Sequence, residues 1–450
     1  MREEQKGAVK NSIGRIFITA LLILIQVVWL IELFVRLNKY STGISLVSSA
    51  IALIVVIKIY GRDMNSAMKM PWMILIMAFP VAGVGIYLLC GHSGVNIGIR
   101  KHFQALQSEL TPLLSDKEDI LQKMSDEDRQ TANMAHYISH SAGYPVYDNT
   151  DLEFYPEAVD GFEAQKEALK QAKKFIFMEY HAIEDKQSFG ELKEILARKA
   201  KEGVEVRLFY DDIGSIGFIN TDFIQRMEAE GIQCRVFNRL MPVLNVFMNN
   251  RDHRKITVID GKIGFTGGYN LADEYFNITH PYGYWKDTGV RLEGDAVRSL
   301  TVMFLEMWNA IKYTDTDYTP YFPQDGAQPH EAGLAGSAAD RGVGAAQSDA
   351  NIAADSASGF VQPYADSPLD GEPVGENVYM GVVKAASEYV YFTTPYLIIS
   401  DEMSRELCLA AKRGVDVRIV TPGIPDKKLV YRVTRSYYAQ LASAGVRIFE

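Results

Sequence analysis

The stretch RDHRKITVIDGKIGFTGGYN, residues 251–270, decides how the rest of the chain is read. It contains two short apolar runs, ITVI and IGFTG, joined by DGK, which is the pattern of a strand, a tight turn and a second strand. His253 and Lys255 stand at the start of the first strand, Asp260 opens the turn, and Gly267, Gly268 and Asn270 close the second strand. Residues two apart on a strand point to the same face, so His253 and Lys255 are expected to project together.

Upstream of this hairpin the chain alternates between strand and helix patterns. KKFIFMEYH (173–181), VEVRLFYDD (204–212) and IQCRVFN (232–238) read as strands, separated by the helical FGELKEILARKAKEG and FIQRMEAEG. Downstream, TGVRLEG reads as a strand and DAVRSLTVMFLEMWNAI as a closing helix. The pattern implies an α/β fold with a largely parallel sheet. After residue 358 the alternation restarts: SEYVYFTTPYL (387–397) aligns with KKFIFMEYH, and residues 399–423 and 437–450 align with the helix–strand pairs that follow it. The chain therefore contains an internal repeat at domain scale.

This reading divides the chain into a membrane anchor (1–95), a polar helical connection (96–145), a first α/β domain (146–322), a linker (323–358) and a second α/β domain (359–450). Residues 16–35 and 42–59 are apolar runs of about the length a bilayer core requires. Lysines and arginines crowd both outer ends of the pair, so the reading is a transmembrane helical hairpin with both ends cytoplasmic. A third apolar run, 71–91, contains Pro80, Gly83 and Gly85, which weaken a continuous helix and favour an interfacial or re-entrant segment. The linker is rich in Ala, Gly, Ser and Asp and has too few large apolar side chains to offset its ordering entropy.

The net charge, 46 basic minus 56 acidic residues or −10, argues against a general nucleic-acid binder. Cys90, Cys234 and Cys408 lack metal-type spacing and read as thiols in a reducing compartment. No cluster of His, Asp and Glu has the spacing of a metal site, and no metal or other cofactor is expected.

The side chains of the opening stretch suit phosphodiester chemistry. An imidazole such as His253 can attack phosphorus and form a covalent phospho-histidine, while Lys255 stabilises the added negative charge. Asn270 can donate to the same oxygens, and Gly267 and Gly268 let the backbone approach closely. Asp260 is read as catalytic or, equally, as an Asx-type turn residue. Glu179 and Tyr180 end a strand where parallel sheets place ligands, with plain strand packing as the alternative. The segment RLMPVLNVFMNNRDHRK brings an apolar run (240–248) beside Arg239, Arg251 and Arg254, which suits an anionic lipid, although a packed loop with a charged rim fits equally. His181, His280 and His330 are read as ordinary core or surface histidines. The spacing HxKxxxxD alone arises by chance in about one chain in fifty of this length, and a following GGxN makes the joint pattern far rarer.

His253, Lys255 and Asp260, followed by Gly267, Gly268 and Asn270, resemble the signature of the phospholipase D superfamily. The apolar N-terminal runs, GGYNLADEY and TTPYL are similar to bacterial cardiolipin synthases. The resemblance implies two phospholipase-D-like domains, with transfer of a phosphatidyl group from one phosphatidylglycerol to another. The products would be cardiolipin and glycerol, formed through a phosphatidyl-histidine intermediate. Implied partners are phosphatidylglycerol and other anionic lipids, no nucleic acid, and a location in the bacterial cell membrane. The family uses one such motif per repeat, yet no second HxK follows Asp260 in these residues. Three readings of that departure stand open: a chain that continues beyond residue 450, which is preferred, a homodimer that completes the site, or a noncatalytic membrane scaffold. A phospholipase D-type hydrolase is the rival enzyme.

Overall fold

The computed structural model describes residues 42–62, 66–91, 97–114, 118–239, 251–323, 359–367 and 371–450, with 17–18, 20–21, 24–29, 31–32 and 35. The expected linker, apart from residue 323, and the apolar run 240–248 therefore lie outside the described residues.

A seven-stranded sheet forms the centre, with strands β1 (Thr150–Tyr155), β2 (Phe175–Tyr180), β3 (Glu205–Asp211), β4 (Gln233–Phe237), β5 (Lys255–Ile259), β6 (Ile263–Gly267) and β7 (Gly289–Gly294) in the order β1-β7-β6-β5-β2-β3-β4. Every residue of β2 is buried, which explains its unbroken run FIFMEY: helices cover both faces. Ile176, Met178 and Tyr180 face a core shared with Phe162, Phe189 and Phe223. Phe175 and Phe177 face the opposite core, with Ile256, Val258, Phe304 and Trp308.

The expected largely parallel sheet is corrected to a mixed one. Only β2–β3 and β3–β4 are parallel. The β5 strand runs antiparallel to β2, and β6, β7 and β1 each run antiparallel to the preceding neighbour in the sheet. The cause is local. Asp260 and Gly261 both take positive φ, 53° and 67°, and Lys262 N–H donates to Ile259 O at 3.0 Å. This is a type I′ turn, whose twist matches a hairpin and folds β6 back on β5.

The helices in chain order are α1 (Thr42–Tyr60), α2 (Ser66–Ala78), α3 (Pro80–Ile86), α4 (Ile97–Leu110), α5 (Glu118–Glu127), α6 (Arg129–Tyr137), α7 (Ala158–Lys170), α8 (Gln187–Lys201), α9 (Asp212–Ser215), α10 (Phe223–Ala229), α11 (Val297–Ile311), α12 (Val374–Ala385), α13 (Asp401–Lys412), α14 (Lys428–Ser436) and α15 (Tyr438–Ser443). A second, three-stranded parallel sheet pairs β8 (Tyr389–Thr393), β9 (Asp416–Val420) and β10 (Arg447–Phe449) in the order β10-β9-β8. That order repeats the β4-β3-β2 half of the large sheet, as the aligned sequences imply.

No helix among the described residues is long and apolar enough to cross a membrane. The first expected span, 16–35, is described only at scattered helical positions, and the second coincides with α1. The third apolar run breaks at Phe79, where Pro80 starts α3. A Cβ on Gly83 would stand 2.6 Å from Ile76 Cα and from Leu75 O, so α3 doubles back against α2 at a spacing that only glycine allows.

Candidate active site

His253 lies in the irregular segment just before β5, exposed, and Lys255 is the first residue of the strand, buried. They meet more tightly than strand alternation requires. The Lys255 ammonium curls back to donate to His253 O at 2.7 Å and lies 3.1 Å from His253 Nδ1. Loss of solvent is the largest influence on both groups, nearly complete for Lys255 and partial for His253, part of whose side chain stays exposed. It lowers the Lys255 pKa to about 8 against the pull of Asp252 and Asp287. With help from the positive charge of Lys255, it lowers His253 to about 4. At neutral pH the pair is a neutral imidazole beside an ammonium ion.

A second imidazole stands beside the first. His181, the residue after β2, has its ring centroid 4.6 Å from that of His253. Its Nδ1 donates to Asp252 O at 2.6 Å, which leaves Nε2 as the basic nitrogen of the neutral ring. Burial lowers its pKa as well. A Cβ on Gly214 would fall 2.1 Å from His181 O, so that glycine makes room for this turn.

Asn270 acts on His181 from behind. Its Oδ1 accepts from Ala182 N–H at 3.1 Å and its Nδ2 donates to Tyr275 Oη at 2.8 Å. The residue expected to donate to phosphoryl oxygens is therefore engaged as a brace for the chain that carries His181. The two glycines are dictated by the chain opposite: a Cβ on Gly267 would meet Thr288 O at 2.6 Å, and one on Gly268 would meet Asp287 Oδ1 at 2.1 Å. Asp287, whose pKa burial raises, contributes a negative charge near Lys255.

The structure does not bring Asp260 to this cluster. It sits at the far end of β5, where its carboxylate accepts from the N–H groups of Lys173 (2.8 Å), Lys174 (2.7 Å) and Phe175 (2.9 Å). The catalytic alternative gives way to the turn residue, because the length of a strand separates it from His253.

Three further expected binding residues also face inward. Tyr180 is buried on the α7 side, with Gln165 Nε2 donating to its hydroxyl at 3.0 Å and Thr257 Oγ1 at 3.0 Å. Glu179 points the other way, wholly buried, with its carboxylate 4.0 Å from Arg254. Arg254 donates to Met303 O at 3.2 Å and Asp366 O at 3.4 Å, turned away from the imidazoles. Burial raises the pKa of Glu179 well above the ordinary carboxylate range and raises that of neighbouring Asp252, while Arg254 opposes both. Strand alternation puts Glu179 on the face of β2 opposite Tyr180.

Comparison with known proteins bears on this arrangement. A family model described as "Cardiolipin synthase, PLD-like domain" matches residues 166–308 and 379–450, and one described as "Phospholipase_D-nuclease N-terminal" matches 48–92. A cardiolipin synthase of Geobacillus sp. is 31% identical over 92% of this chain and 77% of its own length. The chain belongs to the cardiolipin synthase family of phospholipase-D-like proteins. An uncharacterized Streptococcus mutans protein is 40% identical over 88% of this chain and 80% of its own. The phosphatidylserine synthase structure from Haemophilus influenzae aligns at 13% identity with a TM-score of 0.44, covering 70% of this chain and 73% of that one.

Within this family member, sequence reasoning missed His181, Asp287 and Lys427. His181 had one legible signal, its place at the carboxyl end of a buried strand. Asp287 had none, since only the β6–β7 crossing brings it to Gly268. Lys427, from the second sheet's side of the molecule, adds to the positive field that lowers the His253 pKa. Among the described residues no group of three or more His, Cys, Asp or Glu could hold a metal ion. Cys234 and Cys408 are free thiols. His280 is exposed, and His330 lies outside the described residues.

Proposed function

We propose that this chain acts as a membrane-bound phosphatidyltransferase that joins two phosphatidylglycerol molecules into cardiolipin with release of glycerol. The observation that carries the reading is the neutral imidazole of His253 held 3.1 Å from the Lys255 ammonium, with a second imidazole beside it. A lone-pair nitrogen of His253 attacks phosphorus, forming an N–P bond as the P–O bond to the glycerol headgroup breaks. The departing oxygen takes up a proton from water, since His181 begins neutral with its N–H held by Asp252 O. The hydroxyl of a second phosphatidylglycerol then attacks phosphorus, loses its proton, and breaks the N–P bond. Lys255 stabilises the phosphoryl oxygens at both steps, and His181, with Nε2 unprotonated, is the imidazole placed to take the proton of the attacking hydroxyl. Family relatives named cardiolipin synthase support this substrate class. The apolar runs 16–35 and 42–59 support a hairpin in the cell membrane, which would hold the site near its lipid.

Reconstitution of the protein in phosphatidylglycerol vesicles tests this. Cardiolipin and glycerol should appear in equal amounts, and His253→Asn should remove both. Phosphatidic acid in place of cardiolipin would assign a hydrolase. Absence of any product would leave a scaffold. Radiolabelled substrate quenched in denaturing alkali should leave a phosphoryl adduct on His253.

A further inference from the structure

Helix α14, KLVYRVTRS, is packed along one side only. Thr434 is buried, and its Oγ1 accepts from Leu397 N–H at 3.1 Å. One turn on, the Tyr437 hydroxyl donates to Ile399 O at 3.0 Å. The opposite side presents two rows. Leu429 and Val433, one turn apart, are 75% and 42% exposed, and Lys428 and Arg432, also one turn apart, are exposed beside them. Lys428 and Arg432 have no acidic partner among the described residues. In a chain of net charge −10, no Asp or Glu occurs between Asp426 and Glu450, while Lys427, Lys428, Arg432, Arg435 and Arg447 do.

We propose that α14 is an interfacial helix that seats Leu429 and Val433 among the headgroups of an anionic bilayer, with Lys428 and Arg432 on the lipid phosphates. A stripe of apolar side chains beside a stripe of cations is the pattern that lies in the plane of such an interface. The local reversal of sign selects an anionic surface over a neutral one. An acidic protein partner would satisfy the cations but would not call for the exposed Leu429 and Val433 beside them. The helix begins one residue after Lys427, whose charge reaches His253, so seating α14 would hold the mouth of the site at the lipid surface. The inference rests on the reading of a lipid substrate given above, and it adds an orienting contact separate from any N-terminal anchor.

The test uses the full chain with Cys90 and Cys408 replaced by serine and a nitroxide on Leu429→Cys, in phosphatidylcholine vesicles with or without phosphatidylglycerol. Collision of the label with a water-soluble paramagnetic reagent should fall several-fold only when phosphatidylglycerol is present, and a label on Lys201→Cys should not respond. The pair Lys428→Glu and Arg432→Glu should abolish the fall. The same pair should lower turnover on vesicles several-fold while sparing turnover on phosphatidylglycerol in detergent micelles. Equal accessibility at position 429 in both vesicle types overturns the proposal. So does shielding in lipid-free detergent, which would mean that protein covers this face. Loss of turnover in His253→Asn bears on the transferase reading alone, so the two failures are distinguishable.

Discussion

Lys255 is the side chain through which pH should act on this site. The proposed mechanism needs His253 neutral, above about pH 4, and Lys255 charged, below about pH 8, so turnover should follow a bell between these limits. Lys255→Arg keeps the charge at higher pH. Its alkaline limb should move upward even if the maximal rate drops, and a pH–rate profile of both proteins decides this. His181 makes a different contribution. His181→Asn retains a donor for Asp252 O but loses the second imidazole, so kcat should fall about 10²-fold or more with KM little changed. A fall in KM and kcat together would assign His181 to substrate binding instead. His253 and Lys255 were legible as a pair because their spacing is local. His181 was not, since its partner is separated from it by 71 residues of chain.

At the scale of the element, the β5–β6 hairpin converts a parallel half-sheet into a mixed sheet and carries the motif on its leading edge. Its turn is held from outside by the carboxylate of Asp260, which satisfies three backbone N–H groups at the start of β2. Asp260→Ala should cost about 1–3 kcal/mol, as three backbone N–H groups lose a charged acceptor and the turn loses a residue tolerant of positive φ. Asp260→Asn should cost less, because asparagine keeps the left-handed conformation and one acceptor. Denaturant melts of both variants read this directly, and the activity per folded molecule should survive. Gly268→Ala should be damaging for a different reason, since the new methyl would displace Asp287 from beside Lys255. The DGK turn was readable as a turn from residue type alone. That its aspartate clamps β2 was not, because the recipient N–H groups lie 85 to 87 positions earlier.

Across the whole molecule, the segment after residue 358 packs against the chain around residues 137–147. Val361 exchanges two backbone hydrogen bonds with Tyr147, at 2.8 and 2.9 Å. Gln362 Nε2 donates to Tyr144 O at 2.8 Å, and Asn377 Nδ2 donates to the Tyr137 hydroxyl at 2.7 Å. Cutting the chain at a protease site engineered into residues 324–358 should therefore leave two fragments that co-elute under native conditions. The Arg254 cluster spans the same junction, linking Glu179 of β2, Met303 of α11 and Asp366. Arg254→Met should cost about 3–5 kcal/mol by stranding buried carboxylates. The folded pKa values of Glu179 and Asp252, already raised, would rise further. Their contribution is then greatest below the unfolded carboxylate range and is lost as pH rises, so the deficit should be larger at pH 8 than at pH 5. Urea melts at the two pH values check the sign.

Sequence by itself determined the alternation of elements, the repeat of strand, helix and strand, the hairpin and the pairing of His253 with Lys255. All of these are carried by periodicity or by spacings of a few residues. Tertiary structure alone decided that Asp260 is a clamp, that Asn270 braces the His181 turn, and that Glu179, Tyr180 and Arg254 face inward. Each of those roles is fixed by which distant backbone a side chain meets and by which face of β2 it leaves from, and neither is written in the spacing of the residues.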